Sequence, residues 1–336
     1  MPRTVATASL VVLLGWLATV SPASAQALAL ERTIALPGVQ GRIDHLAVDL
    51  ENRRLFVAAL GANKVEVIDL EGARRITSLP RLSEPQGVAY LSREGRLLVA
   101  NGGSGSVEAF DRDRLTAHIA DLDDADNIRI DAASGQVYVG YSNGLAVLDP
   151  ATMRIVHRIP LRAHPEAFEL SSTTPEIYVN VPGATQVAVL DRRTGRQSAS
   201  WELGEARRNF PMALDDVSHR LLVATRQPPM LLVFDTMSGR RTGETALCGD
   251  ADDLFIDRER KLVLAICGEG VVEVFRQVDA DHYEVLQRVP TSPGARTGLF
   301  VPTLQTLFVA APSRGGRSAQ IQLYRMQSSV VPTPGT

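Results

Sequence analysis

The sequence predicts an all-β protein, a seven-bladed β-propeller with four-stranded antiparallel blades, on three observations. Short β-rich runs recur about every 40 residues, an apolar strand precedes each run, and the N-terminal region holds a strand that the last repeat lacks.

The recurring runs cover 65–69, 107–111, 145–149, 187–191 and 231–235. They end in Asp69, Asp111, Asp149, Asp191 and Asp235, spaced 42, 38, 42 and 44 residues apart. Two further copies, 271–275 and 319–324, lack the aspartate and bring the count to seven. An aspartate that opens a turn accepts nearby backbone N–H groups, which explains its recurrence without a functional site.

The preceding strands, 55–59, 97–101, 137–140, 177–180, 221–225, 262–266 and 307–311, are almost unbroken apolar runs, as expected of strands covered on both faces. An inner strand such as 45–49 comes before each, and a turn such as 191–195 leads to a fourth strand. Helical solenoids would need a 3.6-residue apolar period, which is missing. The seventh repeat ends near Arg325 without an outer strand, while 30–37 resembles outer strands such as 285–290. The N-terminal strand is therefore expected to complete the last blade and leave no open radial edge.

With 336 residues, 45% hydrophobic content and a formal net charge of −3, the chain can bury a large core. Of its 35 basic residues only Lys64 and Lys261 are lysine, and the bases are scattered, so neither a nucleic-acid groove nor a membrane-binding face is indicated. Residues 1–25 read as a signal peptide: Arg3, an apolar stretch from Leu10 to Val20, and Ala23-Ser24-Ala25 as a small-x-small cleavage site. The expected division is signal peptide 1–25, propeller 26–326 and flexible tail 327–336. The mature protein is expected in the periplasm or secreted, with no membrane span, as a monomer.

The segment Gly95-Arg96-Leu97-Leu98-Val99-Ala100-Asn101 followed by Ser106-Val107-Glu108-Ala109-Phe110-Asp111 resembles the repeat of the bacterial YVTN-type, YncE-like seven-bladed propellers, and the resemblance extends over the mature chain. It implies a periplasmic propeller similar in shape to seven-bladed lactonases and quinoprotein propellers, and it brings no catalytic motif. No Trp-Asp dipeptide occurs and Trp201 is the only tryptophan after the leader, which argues against WD40 repeats and against quinone-dependent dehydrogenases.

Cys248 and Cys267 flank the first hairpin of the sixth blade, so both thiols should lie on one face. In an oxidising compartment a disulfide is expected. With no histidine beside them they make a poor zinc site, and a c-type haem is excluded by the missing Cys-x-x-Cys-His.

Function in a propeller is sought where the inner strands converge on the axis. Aligning their starts gives His45, Gln86, Asn127, Glu166, Pro211, Asp253 and Thr297, six of them polar. The preceding column adds Asp44, Asp126, Asp252 and Arg296, and His164 and Asp250 lie one step out. The channel candidates are His45, Gln86, Asn127, Glu166, Asp253, Arg296 and Thr297. Asn127, Glu166 and Asp253 could hold a divalent cation such as calcium through their oxygens, and Arg296 could pair an anionic group. A water-filled channel mouth is polar in any case. Neither a nucleophile elbow nor an assignable triad occurs, and Gly102-Gly103-Ser104-Gly105 lacks the helix a phosphate cradle needs. Two function classes follow: a non-catalytic module binding a small polar ligand or another periplasmic protein through the channel face, or a metal-assisted hydrolase of the lactonase type.

Overall fold

The structure, a computed structural model, describes residues 26–327. The expected signal peptide at 1–25 and all but the first residue of the expected tail at 327–336 lie outside the described residues. Seven antiparallel four-stranded sheets follow one another, each with its strands hydrogen-bonded in chain order except the last. The inner strands of blades one to seven are Leu46–Asp49, Pro85–Leu91, Ile128–Ile130, Phe168–Leu170, Arg207–Asp215, Ala251–Asp257 and Thr297–Val301. Among the described residues helix is confined to three single 3₁₀ turns, at Leu60–Ala62, Pro182–Ala184 and Pro302–Leu304.

The last blade combines both ends of the chain. Its outer strand is the N-terminal Leu28–Leu36, antiparallel to Ala319–Met326, with Leu28 opposite Met326 and Leu36 opposite Ala319. Gln287, on the outer strand of blade six, holds the start of this strand. Its Oε1 accepts from the N–H groups of Ala27 and Leu28 at 2.8 and 3.0 Å, and its Nε2 donates to the Leu28 carbonyl at 3.0 Å.

The core is distributed rather than central. Seven apolar clusters occupy the seven seams between neighbouring blades. Leu79, Val88 and Leu97 fill the seam from blade one to blade two, and Ile34, Phe308, Ile321 and Leu55 fill the seam from blade seven back to blade one. This is why the second strands are buried along most of their length, and Leu262–Cys267 at every position: each has a neighbouring blade on both faces. Trp201 of blade four stacks on Phe234 of blade five at 5.7 Å and meets Tyr178 at 5.3 Å.

The aspartates that close the third strands act in turns. Asp69, Asp149, Asp191 and Asp235 each accept at least one backbone N–H two or three residues on, for example Thr152 to Asp149 at 2.7 Å and Ser238 to Asp235 at 2.8 Å. Asp111 faces Arg114 at 3.6 Å instead. A second series at the first hairpins, including Asp49, Asp131, Asp215 and Asp257, does the same work. Cys248 and Cys267 form a disulfide with Cα atoms 5.9 Å apart, and both residues are buried. The wholly buried Glu273 accepts from the Cys248 N–H at 2.8 Å and pairs with Arg288 at 2.7 Å, which anchors the Cys248 end of the bridged segment.

Candidate functional site

A cavity of about 360 Å³ lies on the axis, lined by inner-strand residues of all seven blades. It owes its polar rim to a repeated irregularity. Ahead of the inner strands the Asp44 N–H donates to the Ala58 carbonyl, while the Ala58 N–H donates to His45. Asp126 and Asn127 share Gly140, and Glu166 and Ala167 share Asn180, in the same way. Two residues thus oppose one, a bulge that re-aims side chains towards the axis.

This register corrects the alignment of inner-strand starts. Leu46, Val88, Ile128, Phe168, Met212, Leu254 and Gly298 are equivalent by their partners on the second strands. One tier back are His45, Gly87, Asn127, Ala167, Pro211, Asp253 and Thr297. Two back are Asp44, Gln86, Asp126, Glu166, Phe210, Asp252 and Arg296. Gln86 and Glu166 therefore belong with Asp44 and Asp126, and the outer tier carries four acids. Gapless alignment of the starts could not register the one-residue slip in blades two and four.

Of the seven channel candidates named from sequence, His45, Asn127, Glu166 and Asp253 line the cavity. The other three are engaged elsewhere. Gln86 Nε2 donates to Asp124 at 3.2 Å, and the buried Thr297 hydroxyl donates to the Ile43 carbonyl at 3.1 Å. Arg296 pairs with Asp250 at 3.2 Å and Asp252 at 2.9 Å. Arg226, which sequence reasoning missed, pairs with the same two aspartates and lies 3.9 Å from the Phe210 ring centroid. It comes from the end of a second strand, Arg220–Gln227, where only the unusual length of the run gave a signal. Arg42, 2.8 Å from Asp44, comes from the loop before the first inner strand and had no repeat partner to mark it.

His45 crosses the axis. Its Nε2 stands 3.9 Å from Asp126 of blade three and its Nδ1 3.9 Å from Asp253 of blade six, whose other oxygen accepts the Gly298 N–H at 2.7 Å. His164 adds contacts to Asp124 at 3.4 Å and Asp126 at 3.8 Å. Glu166 has no ion pair or side-chain hydrogen bond among the described residues.

Burial dominates the protonation of this rim. It pushes the Asp44 carboxyl up to about 8 against the pull of Arg42, and the Asp253 carboxyl up to about 7 against the pull of His45. Burial, with the charge of Asp126, lifts Glu166 to about 7. At Asp126 burial acts upward too, but His164, His45 and Arg42 together outweigh it and hold the carboxyl below the ordinary range. Burial works against the charged form of His164, yet Asp126, Asp124 and Glu166 raise its pKa. Two carboxylate oxygens here are buried without a hydrogen-bond donor: Asp126 Oδ1, and Asp44 Oδ2, which Arg42 approaches off the bonding direction.

For a calcium-type ion at Asn127, Glu166 and Asp253 the fit is poor. Arg129 Nη1 donates to Asn127 Oδ1 at 3.3 Å, placing a positive charge where the ion would bind. Among the described residues no three His, Cys, Asp or Glu side chains converge at metal-ligand spacing.

Fold and site together define a seven-bladed β-propeller with a carboxylate-rimmed axial cavity. No family model matches the chain, and no curated protein matches it. Among solved structures 1613 chains match, so the likeness is to a widely used architecture and singles out no function. One, from the "Crystal Structure of Mitotic Checkpoint Complex", superposes with a TM-score of 0.73 at 12% identity, covering 97% of this chain and 99% of that chain. At that identity the similarity shows the fold alone. No helix of the described residues is long and apolar enough to cross a membrane.

Proposed function

We propose that the protein is an exported binding module that takes a small polar ligand into the axial cavity. The observation that carries this reading is the set of carboxyls on different blades, the buried Asp126 and the half-buried Glu166 and Asp253, that have no arginine or lysine within ion-pair distance yet face one cavity. Leaving a buried polar atom unpaired costs roughly 1–3 kcal/mol, more for a charge, and a bound ligand that donates to it removes the cost. Propellers are commonly protein-binding modules, so a periplasmic protein on the same face is the alternative partner. Export is supported by the apolar leader and by the disulfide, which suits an oxidising compartment.

A second reading, hydrolysis of a lactone-type ester assisted by a divalent cation, is favoured by one observation. Glu166 and Asp253, the latter beside His45, hold protons near neutral pH, as general acids and bases do. Purified protein assayed for metal content and for turnover of a lactone panel, with Glu166→Ala and Asp253→Ala controls, separates the two. Ligand-dependent stabilisation without turnover supports the binding module. Metal-dependent turnover lost in both variants overturns it in favour of the hydrolase.

A further inference from the structure

The identity of the ligand's head group follows from which charges at the rim are already neutralised; this inference rests on the axial-cavity reading above. Asp44 has Arg42 at 2.8 Å. Asp250 and Asp252 share Arg226 and Arg296, two acids against two guanidiniums, all four within ion-pair distance. Glu169, deeper in the channel, has Arg129 at 3.8 Å. Subtracting these leaves Asp126, Glu166 and Asp253 on blades three, four and six, with only the imidazoles of His45 and His164 within ion-pair distance of any of them, none closer than 3.8 Å. Asp126 is 7% exposed, lines the cavity, and its Oδ1 has no donor. These three carboxyls therefore have no guanidinium or ammonium within ion-pair distance, and the buried Asp126 Oδ1 is an acceptor without a donor.

We infer that the cavity binds a small organic cation, a primary ammonium with an apolar tail, its head among Asp126, Glu166 and Asp253 and its tail directed down the channel. An ammonium supplies three donors and one positive charge, matching three acceptors that come from separate blades. A bare metal ion needs its ligands drawn together at 2.0–2.6 Å, and these carboxylates do not converge that way. Beyond the rim Met212, Leu254, Ile130, Phe255 and Leu299 give the channel an apolar stretch beside the paired Glu169 and Arg129. Phe210 is covered by Arg226, so the head group is held by carboxylates rather than by a ring face. A cavity of about 360 Å³ is at the small end of ligand pockets, which suits a ligand well below drug size.

The test is a matched set of probes with one tail and three heads: hexylammonium, hexanoate and hexan-1-ol, titrated calorimetrically into the full mature chain at pH 7.5. Hexylammonium is expected to bind at least tenfold more tightly than either of the others. Its affinity is expected to fall tenfold or more in Asp126→Asn, a near-isosteric change that keeps the side chain's shape. Glu166→Gln serves as a second variant, and circular dichroism of both shows whether the fold is kept. Saturable binding of hexanoate or hexan-1-ol at equal or higher affinity overturns the cation assignment while leaving the cavity a binding site. Saturable hexylammonium binding that neither folded variant weakens also overturns it. No saturable binding of any probe to folded protein overturns both the assignment and the axial-cavity reading.

Discussion

Glu166→Gln should stabilise the protein at alkaline pH and leave it nearly unchanged in acid. In the folded state the Glu166 carboxyl titrates at about 7, against an ordinary value of 4.5, because burial penalises its charge and Asp126 repels it. A raised folded-state pKa means that the folded protein binds the proton more tightly than the unfolded chain. The favourable contribution is full below about pH 4.5, declines as pH rises, and is gone above about pH 7. Each unit is worth about 1.36 kcal/mol, so at pH 8 the ionised Glu166 costs roughly 3 kcal/mol that glutamine does not. The described 302 residues, at about 2.1 cal/mol/K each, convert this to roughly 5 °C in melting temperature. The assay is urea or thermal unfolding of wild type and variant at pH 5 and pH 8, with the disulfide intact. Equal stabilisation at both pH values, or none at pH 8, would refute the idea that this carboxyl is held neutral by burial.

Three other perturbations have defined outcomes. Opening the Cys248–Cys267 bridge by double substitution to serine should cost about 3 kcal/mol, from the chain entropy of a closed loop of 19 residues, and loosen the adjoining Asp250 and Asp252 pairs; an unchanged melting temperature would contradict this. In Gly87→Ala the new methyl would sit 2.0 Å from the Asp126 carbonyl, a backbone atom that cannot swing aside. Stability should fall by roughly 1–3 kcal/mol and hexylammonium binding should weaken with it, as scanning calorimetry and titration would show. Gln287→Leu strands the buried N–H groups of Ala27 and Leu28, so the urea midpoint should drop by the equivalent of roughly 2–4 kcal/mol and amide exchange along Leu28–Leu36 should accelerate. Unchanged exchange there would show that the clamp is dispensable.

The fold was legible because each blade repeats the same solution. Apolar second strands and turn aspartates recur about every 40 residues, and the outer-strand pattern at 30–37 needed only a missing partner to assign it to the last blade. The site was legible as a location. His45, Asn127, Glu166 and Asp253 line the cavity, yet Gln86 and Glu166 fall one residue out of register because an alignment of letters contains no hydrogen bonds. Arg226 and Arg42 stayed hidden for a different reason. They are long side chains that reach the rim from non-equivalent positions, and the repeat that exposed the fold has no column for them.

The pairing of Leu28–Leu36 with Ala319–Met326 also sets a timetable for the nascent chain. Leu28–Leu36 is synthesised nearly 300 positions ahead of its partner, an interval on the order of tens of seconds at ordinary elongation rates. Throughout it, the face of blade one that finally packs on blade seven stays bare, with Leu55 and Ile68 among the residues uncovered. Blades one to six can assemble in order as they emerge, but the two ends must meet last, so any factor that shields a growing chain would be most needed at that unclosed gap.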